Sequence, residues 1–580
     1  TSVADSNKIL AAARKAIRAQ KEGNQVVMVV SAMGKNTDML VDLAGQIHEE
    51  PPAREMDMLL STGEQVTVAL MAMAIHSLGH KAISLTGAQI GIMTDSSHTK
   101  ARILSISTER MRAALDQGNI VIAAGFQGID ESFNITTLGR GGSDTTAVAL
   151  AAALKADACE IHTDVDGIYT TDPRIVPEAR RVARISYDEM LELASAGAGV
   201  MHNRSIEFAK KFCVPVHVRS SFTDTPGTMI TALPESDDQP VCGAAVVRDE
   251  ARITVSDVPD RPGAALTLFS KIAEKHIAMD MIAQNAGAAG QANISFTIFR
   301  NDLHTAMKAV ENAVDELGAT NFSYDDDVSV VSVVGLGMAI QSGVAEKMFR
   351  ALAQAGINML MITTSQIKIS ALVAREQASE ALRIVHEAFG LENEPARISE
   401  GPADSKPCAR GNGDALARLQ GMENLIVEAI HLDESEARIT LLEVPDTPGL
   451  AAEVFEEITN AGIVVDMIVQ SFGHGGDTNM GFTFPKDDLD KTLQLAQKLA
   501  DRLGCPPPSH SPQVALLAVA GIGMRSHTEV ARRMFQSLTK VGINVQMINT
   551  SEMQVTVVVD GSQGEVGLSA LKEEFADAML

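Results

Sequence analysis

Two glycine-containing turns in the first half of the chain follow apolar strand patterns and precede helical ones. The more informative turn reads GRGGSD and follows the strand-like stretch NITTL. Free N–H groups at a helix start, the helix dipole and an arginine together bind anions. We therefore predict an anion site, formed by Arg140, Gly141, Gly142 and Ser143. Ser143 or Asp144 would cap the helix, and a tight turn without a ligand is the alternative.

The second turn follows the apolar run QVVMVV and reads SAMGK (31–35). A helical pattern beginning NTDML comes next, so Ser31 and Thr37 flank this turn. Neither turn is a P-loop, because GxxxxGK[ST] does not occur in the chain, and no GxGxxG follows a strand. A dinucleotide-binding dehydrogenase domain is therefore unsupported.

A third polar stretch, TDVDGIYTTDPR (163–174), follows the strand pattern CEIHT. It lacks the third acidic ligand and the terminal Glu of a calcium loop, which excludes that interpretation. Asp164, Tyr169 and Arg174 instead suit the ribose, base and phosphates of a nucleotide. A solvated acidic loop is the alternative.

The elements that must position these turns alternate between strand and helix over residues 1–232. Continuous apolar runs such as QVVMVV, NIVIAA and VPVHV are typical of strands buried on both faces in a parallel sheet. We predict an α/β domain in which a mostly parallel sheet lies between helix layers.

The second half contains a duplication. ARITVSDVPDRPG begins at Ala251, and ARITLLEVPDTPG begins at Ala437, 186 residues later; the same offset relates the two GIN triplets at 356–358 and 542–544. Each copy also contains a weaker internal sequence similarity, so the second half consists of four related units. We predict units 1 to 4 at residues 245–324, 325–391, 425–511 and 512–580, with a linker at 392–424. Within a unit the order β-α-β-β-α predicts a ferredoxin-like α+β layer, whose sheet edges commonly pair.

Charge and composition exclude several classes of partner. The net charge is −26, aromatic residues make up 3% and Trp is absent. Nucleic acid and anionic membranes are therefore not expected as partners. The five cysteines are widely spaced, so reduced thiols in the cytosol and no metal site are expected.

These stretches together resemble the aspartokinases of the amino-acid kinase family. The matching motifs are VVSAMGKNTDML, STGEQV, AGFQGI, TTLGRGGSDTTA, TDVDGIYTTDPR and VPVHVRSSF, and they cover nearly all of residues 1–230. The resemblance implies transfer of the γ-phosphate of ATP, with Mg²⁺, to the side-chain carboxylate of L-aspartate, the first step toward lysine, methionine and threonine. The substrate carboxylate is itself the nucleophile, so positioning and charge neutralisation must supply the catalysis.

The resemblance also implies roles for individual residues. Aspartate would be held by Thr37, Glu64, Arg140, Gly141, Gly142 and Ser143, with Arg140, Ser143 and Asp144 acting in catalysis. ATP would be held by Ser31, Thr163, Asp164, Tyr169, Asp172 and Arg174, with Lys210 as a further candidate.

The repeated units resemble ACT domains, which bind amino acids at interfaces between paired copies. Lysine, threonine or both would be the allosteric effectors, and ACT pairing would form a homodimer. The residues expected to be regulatory are Asp260, Gly263, Asp280, Gln284, Ser342, Asn358, Thr363, Asp446, Gly449, Asp466, Gln470, Asn544 and Asn549.

The first residues of the sequence depart from the family pattern. The family begins KFGGTS, and its lysine faces the phosphates, whereas TS opens this sequence. We expect that a strand and glycine turn precede residue 1 in the native protein and that the chain as numbered is a poor kinase. Two rival interpretations stay open, another carboxylate kinase of the same family and a catalytically silent amino-acid sensor.

Overall fold

The computed structural model describes residues 2–236, 238–286, 290–319, 321–339, 341, 343–396, 422–472, 477–524 and 529–579. Ser342 and most of the expected linker lie outside these residues.

The N-terminal half is the predicted α/β domain. Its helices are Ser6–Lys21, Asn36–Ile47, Ala53–Ser77, Gly87–Ile90, Glu109–Asp116, Gly142–Leu154, Tyr187–Ser195 and Asn203–Phe212. Its strands, β1 to β11, are Val27–Val30, Ala82–Leu85, Ile92–Thr94, Ile103–Ile106, Ile120–Ala124, Gln127–Ile129, Ile135–Thr137, Cys159–Thr163, Arg184–Ser186, Val216–Ser220 and Thr228–Thr231.

Parallel strand pairs form the centre of this domain. The order β1-β5-β2 is parallel throughout, and all five residues of β5 are buried, as its apolar sequence predicts. A second sheet, β8-β10-β11-β9, contains the parallel pairs β8–β10 and β9–β11. The helix Gly142–Leu154 packs against both β1 and β8. Ser31 directly follows β1 and Thr163 is the last residue of β8, so this helix connects the two strands whose ends carry these residues.

In the part of the chain that the structure describes, one helix, Ala53–Ser77, is long and apolar enough to cross a membrane by length and composition alone. Its face that carries Met71 and Ile75 is wholly buried in the domain core. A single such helix is weak evidence for a membrane, and we interpret it as a core helix.

The C-terminal half is built from the four ACT-like units. Its helices are Ala264–Ala273, Leu303–Leu317, Val344–Gln354, Ala378–Ala388, Leu450–Asn460, Leu489–Leu503, Glu529–Lys540 and Gly564–Glu574. Its strands, β12 to β25, are Gly243–Pro259, Met279–Ala286, Gln291–Phe299, Asn321–Val334, Met361–Thr364, Lys368–Ala374, Ile426–Asp433, Glu436–Pro445, Ile468–Phe472, Asp477–Pro485, Ser509–Ser511, Val514–Ile522, Met547–Thr550 and Gln554–Asp560.

Strand pairing joins the sheets of units 1, 2 and 3, whereas unit 4 has a sheet of its own. Strands β12 and β15 pair along most of their length, so each runs from the sheet of unit 1 into that of unit 2. Strand β16 of unit 2 pairs with β20 of unit 3, giving a continuous ten-stranded sheet. Strand β18 pairs with β23 and so belongs to the four-stranded sheet of unit 4.

The cysteines differ in part from expectation. Cys159, Cys242 and Cys505 are free, whereas Cys213 is disulfide-bonded. The expectation of reduced thiols is therefore wrong for Cys213.

Candidate functional site

The GRGGSD turn is the entrance to the helix Gly142–Leu154. Gly141 is the N-cap, with φ of 67°, and no side chain caps the helix. The expected capping by Ser143 or Asp144 is therefore wrong, because a left-handed glycine places both residues inside the first helical turn. A helix start without a side-chain cap keeps its N–H groups for an anion.

A hydrogen bond joins the two glycine turns. The Ser31 hydroxyl donates to Oγ of Ser143 at 2.7 Å. Their approach depends on Gly125, where a Cβ atom would lie 2.6 Å from Oγ of Ser143. The structure therefore brings together two of the hydroxyl groups that the sequence singled out.

Glu64 lies beside this pair with an incomplete set of partners. Its side chain is buried; Oε1 accepts a hydrogen bond from the backbone N–H of Ala32 at 3.0 Å, whereas Oε2 has no partner among the described residues. Burial raises the pKa of Glu64 to about 7. A buried carboxylate oxygen without a donor fits a cationic ligand, such as the ammonium group of an amino acid.

Asp144 lies in the first turn of the helix, and burial raises its pKa to about 6. Thr37 is the second residue of the helix Asn36–Ile47, next to the turn that holds Ser31.

Arg140 is exposed on the wall of a cleft with a cavity volume of about 310 Å³. Other cationic side chains line the same cleft, namely Lys100, Arg102, Arg204 and Lys211. Sequence reasoning missed these residues, because they lie in separate segments and follow no motif. Glu207 and Glu423 line the cleft as well, and Glu423 pairs with Arg204 at 2.7 Å, but the cations outnumber these carboxylates. The surroundings of Arg140 are therefore favourable for anions despite the acidic chain.

His202 packs against the GRGGSD turn. A Cβ atom on Gly141 would lie 2.2 Å from Cβ of His202, so the histidine packs directly against the glycine. Burial lowers the pKa of His202, and the nearby Arg204 and Arg140 charges act in the same direction. The neutral ring therefore acts as a packing surface here.

The third polar stretch forms a loop after β8. Oγ1 of Thr163 donates to Asp164 at 3.2 Å, and the hydroxyl of Tyr169 donates to Asp166 at 2.9 Å. Arg174 is 88% exposed and forms a forked pair with Asp172, with Nη2 to Oδ2 at 2.7 Å. This donor set, on the loop adjoining the Gly142–Leu154 helix, fits a phosphate-bearing ligand.

Lys210 does not join this loop. Its ammonium group lies 2.9 Å from Asp188 and 3.7 Å from Glu428, at the boundary between the α/β domain and unit 4.

The second half contains two equivalent clefts. In the first, between units 1 and 4, Nδ2 of Asn544 donates to Asp260 at 2.6 Å and Nε2 of Gln284 donates to the Val545 carbonyl at 2.7 Å. Its cavity volume is about 10 Å³, so the two units lie in close contact at this cleft. Gly263, with φ of 93°, starts a helix at its edge without a side-chain cap.

In the second cleft, between units 2 and 3, the Asp, Gln, Asn and Gly residues recur 186 positions away, and Met359 takes the place of Val545. Nδ2 of Asn358 donates to Asp446 at 2.8 Å, and Nε2 of Gln470 donates to the Met359 carbonyl at 3.0 Å. Gly449, with φ of 94°, is the uncapped helix start. Burial raises the pKa of Asp446, although Asn358 and Arg252 oppose this.

Both glutamines have a buried side-chain oxygen without a partner among the described residues. Each cleft thus offers a carboxylate and an amide oxygen to an ammonium group and a helix N-terminus to a carboxylate. That arrangement is complementary to a free α-amino acid.

The contacts of the other residues expected to be regulatory are with residues outside the hydrogen-bonded sets of these clefts. Asp280 faces Lys368 at 3.9 Å and accepts at its carbonyl from Oγ1 of Thr550 at 3.1 Å. Asn549 donates to the carbonyl of Thr364. Thr363 pairs with Val469 in the strand ladder, and burial raises the pKa of Asp466.

Comparisons with known proteins agree with this organisation. A model described as the amino acid kinase family matches residues 1–220, and one described as the ACT domain matches residues 253–314, 331–389 and 517–575. The chain is 49% identical over 402 residues to the aspartate kinase of Pseudomonas putida, covering 69% of this chain and 98% of that protein. It is 48% identical over 403 residues to the aspartokinase of Pseudomonas aeruginosa, covering 69% and 98%.

Among solved structures, the chain is similar to the aspartate kinase of Synechocystis. The identity is 38% and the TM-score 0.53, and the match covers 100% of this chain and 97% of that one. The similarity therefore includes both halves of the molecule.

Proposed function

The chain belongs to the aspartokinase family, and on that premise we propose that it transfers the γ-phosphoryl group of ATP to the side-chain carboxylate of L-aspartate. The observation that carries the proposal is the unpartnered Oε2 of buried Glu64 beside the Ser31–Ser143 pair. An ammonium group satisfies Glu64, and the arginine and helix start at 140–142 are suited to a carboxylate.

The chemistry requires positioning and charge neutralisation. The ionised carboxylate of aspartate attacks the γ-phosphorus; a new O–P bond forms, the bond to the bridging oxygen breaks, and ADP leaves. The helix start at Gly141 and the guanidinium of Arg140 favour the negative charge that the reacting groups bring together.

For ATP we propose the loop after β8, where Thr163, Asp164, Tyr169, Asp172 and Arg174 lie, together with Ser31. Mg²⁺ would arrive with the phosphates, because it binds mainly through substrate phosphates and one or two carboxylates. Asp144 is the carboxylate within the anion-binding turn itself.

For regulation we propose that an end-product amino acid, lysine, threonine or both, binds in the two clefts of the ACT half. Two repeated donor and acceptor sets support this, one with Asp260 and Gln284 and one with Asp446 and Gln470. We further propose a homodimer formed through the ACT half, whose ten-stranded sheet ends in the edge strands β13 and β22. A cytosolic location also stays a prediction.

The test is a hydroxamate assay with MgATP and either L-aspartate or L-glutamate. Aspartate-dependent acyl phosphate is the expected result. Preference for glutamate would favour another carboxylate kinase of the family. Absence of acyl phosphate with both, together with calorimetric binding of lysine or threonine, would favour a silent sensor.

A further inference from the structure

A buried ion cluster joins the α/β domain to the ACT half. Glu192, on the helix Tyr187–Ser195, is completely buried, and its Oε2 lies 3.0 Å from Nζ of Lys368. Lys368 is the first residue of β17 in unit 2, and its side chain is 8% exposed. Burial raises the pKa of Glu192, which the lysine charge opposes, so the ionised carboxylate depends on this lysine.

The same lysine reaches unit 1. Nζ of Lys368 lies 3.9 Å from Oδ1 of Asp280 on β13. Four residues further along that strand, Gln284 donates its hydrogen bond into the cleft between units 1 and 4. A rearrangement of β13 at the cleft therefore changes the surroundings of the ammonium group that holds Glu192.

Unit 4 completes the cluster from the other side. The backbone N–H of Glu552 donates to Oε1 of Glu192 at 2.9 Å. Oε2 of Glu552 accepts from Nδ2 of Asn203 at 3.1 Å. Asn203 begins the helix that follows His202, and His202 packs against Gly141 at the anion-binding turn.

We propose that Lys368 is a positioning residue through which the ACT half controls the Arg140 turn. An effector in the cleft between units 1 and 4 shifts β13 and with it the ion pair between Lys368 and Glu192. The helix carrying Glu192 and the segment ending at His202 then move together, because a fully buried carboxylate cannot leave its ammonium partner without a large cost. The inference rests on the proposed feedback regulation and names the residues that transmit it.

The main test uses Glu192→Gln, which keeps the side-chain shape and the bond from Glu552 but removes the charge. Calorimetry gives the affinity for lysine and threonine, and initial rates give KM for aspartate and kcat with and without saturating effector. We expect effector affinity within about threefold of the parent chain, while the effector-induced change in KM falls at least fivefold, a coupling loss within the usual range. Glu311→Gln, an exposed charge loss in unit 1, is the matched control and should change neither quantity.

Lys368→Arg provides a second variant that keeps the charge but alters its reach. It should weaken the coupling in the same direction even if Glu192→Gln fails to fold. Where both fold, the double variant should lose no more coupling than the stronger single variant, because both act through one ion pair.

Full effector-induced change in KM in either folded variant would overturn the inference while leaving the proposed feedback intact. A variant that loses effector affinity and inhibition by the same factor would also overturn the inference. The ion cluster would then stabilise the effector-binding cleft and would not transmit the effect of binding. If the parent chain itself binds neither lysine nor threonine, the proposed regulation fails and the inference fails with it.

Discussion

Nδ2 of Asn358 donates a hydrogen bond of 2.8 Å to the carboxylate of Asp446, across the boundary between units 2 and 3. The duplication reproduces this pair between units 4 and 1, where Asn544 donates to Asp260 at 2.6 Å. In both clefts the amide fixes the carboxylate that we propose as the partner of an amino acid's ammonium group. The two clefts are therefore chemically equivalent and each is shared by two units of one chain.

The first prediction concerns feedback inhibition. Gln284→Ala removes a cleft acceptor between units 1 and 4, and Asn358→Ala removes the carboxylate's donor between units 2 and 3. At least one should raise the effector concentration needed for half-inhibition about 5- to 150-fold, the usual range of allosteric coupling, with kcat near that of the parent chain. Dose–response curves for lysine and threonine measure this. Asn312→Ala, an exposed amide in unit 1, is the control. Unchanged curves in both cleft variants would contradict the assignment.

The sequence was sufficient to predict the α/β domain, the ACT-like units and the equivalence of residues 186 positions apart. It did not predict which units face each other, because that choice depends on how β12 and β15 extend across two units. The predicted cap at Ser143 or Asp144 failed because the positive φ of Gly141 moved the helix start. Such details depend on tertiary packing, which local patterns do not contain.

The residues of the candidate site also divide into those that local sequence patterns predict and those that only tertiary packing brings together. Local pattern predicted that Ser31 and Ser143 stand at strand-to-helix turns, where the structure has them, and their roles in binding stay predictions. The arginines and lysines around the Arg140 cleft, and the contact of His202 with Gly141, join segments far apart in sequence. Lys210 carried no local signal for its partners, and the structure pairs it with Asp188 and Glu428.

The second prediction concerns pH. The pKa of Glu64 is raised to about 7, so this carboxyl is largely protonated at pH 6 and ionised at pH 8. Because the ammonium group of aspartate requires the ionised form, kcat/KM for aspartate should rise about tenfold between these values. Folding stability has the opposite dependence, since a raised carboxyl pKa means that stability is lost as pH rises from about 4.5 through 7.

Glu64→Gln should flatten the rise of kcat/KM and increase KM for aspartate. Glu22→Gln, an exposed carboxylate in the same domain, should keep the parent profile. A profile that stays steep in Glu64→Gln would assign the titration to another group, with Asp144 next in order because its pKa is about 6.

The third prediction concerns Arg140. Arg140→Lys keeps the charge but loses the planar fork that binds a carboxylate through two hydrogen bonds. We expect kcat/KM for aspartate to fall at least about 100-fold, or about 2.7 kcal/mol of transition-state stabilisation. Steady-state kinetics measure the loss, with the exposed Arg110→Lys as the control. Near-parent turnover and aspartate affinity in Arg140→Lys would remove this residue from the site.

The last prediction separates backbone strain from the contact behind the anion-binding turn. Gly141 and Gly118 both have positive φ, 67° and 77°, so alanine at either position should cost about 1 kcal/mol of stability. Only at Gly141 does the new Cβ meet another side chain, at 2.2 Å from His202, whereas at Gly118 nothing lies within 4 Å. Gly141→Ala should therefore displace His202 and the turn together and raise KM for aspartate at least about tenfold. Gly118→Ala should lower the melting temperature only by the amount that backbone strain causes. It should leave KM for aspartate unchanged. Equal kinetics in the two variants would mean that the packing of His202 does not position the turn.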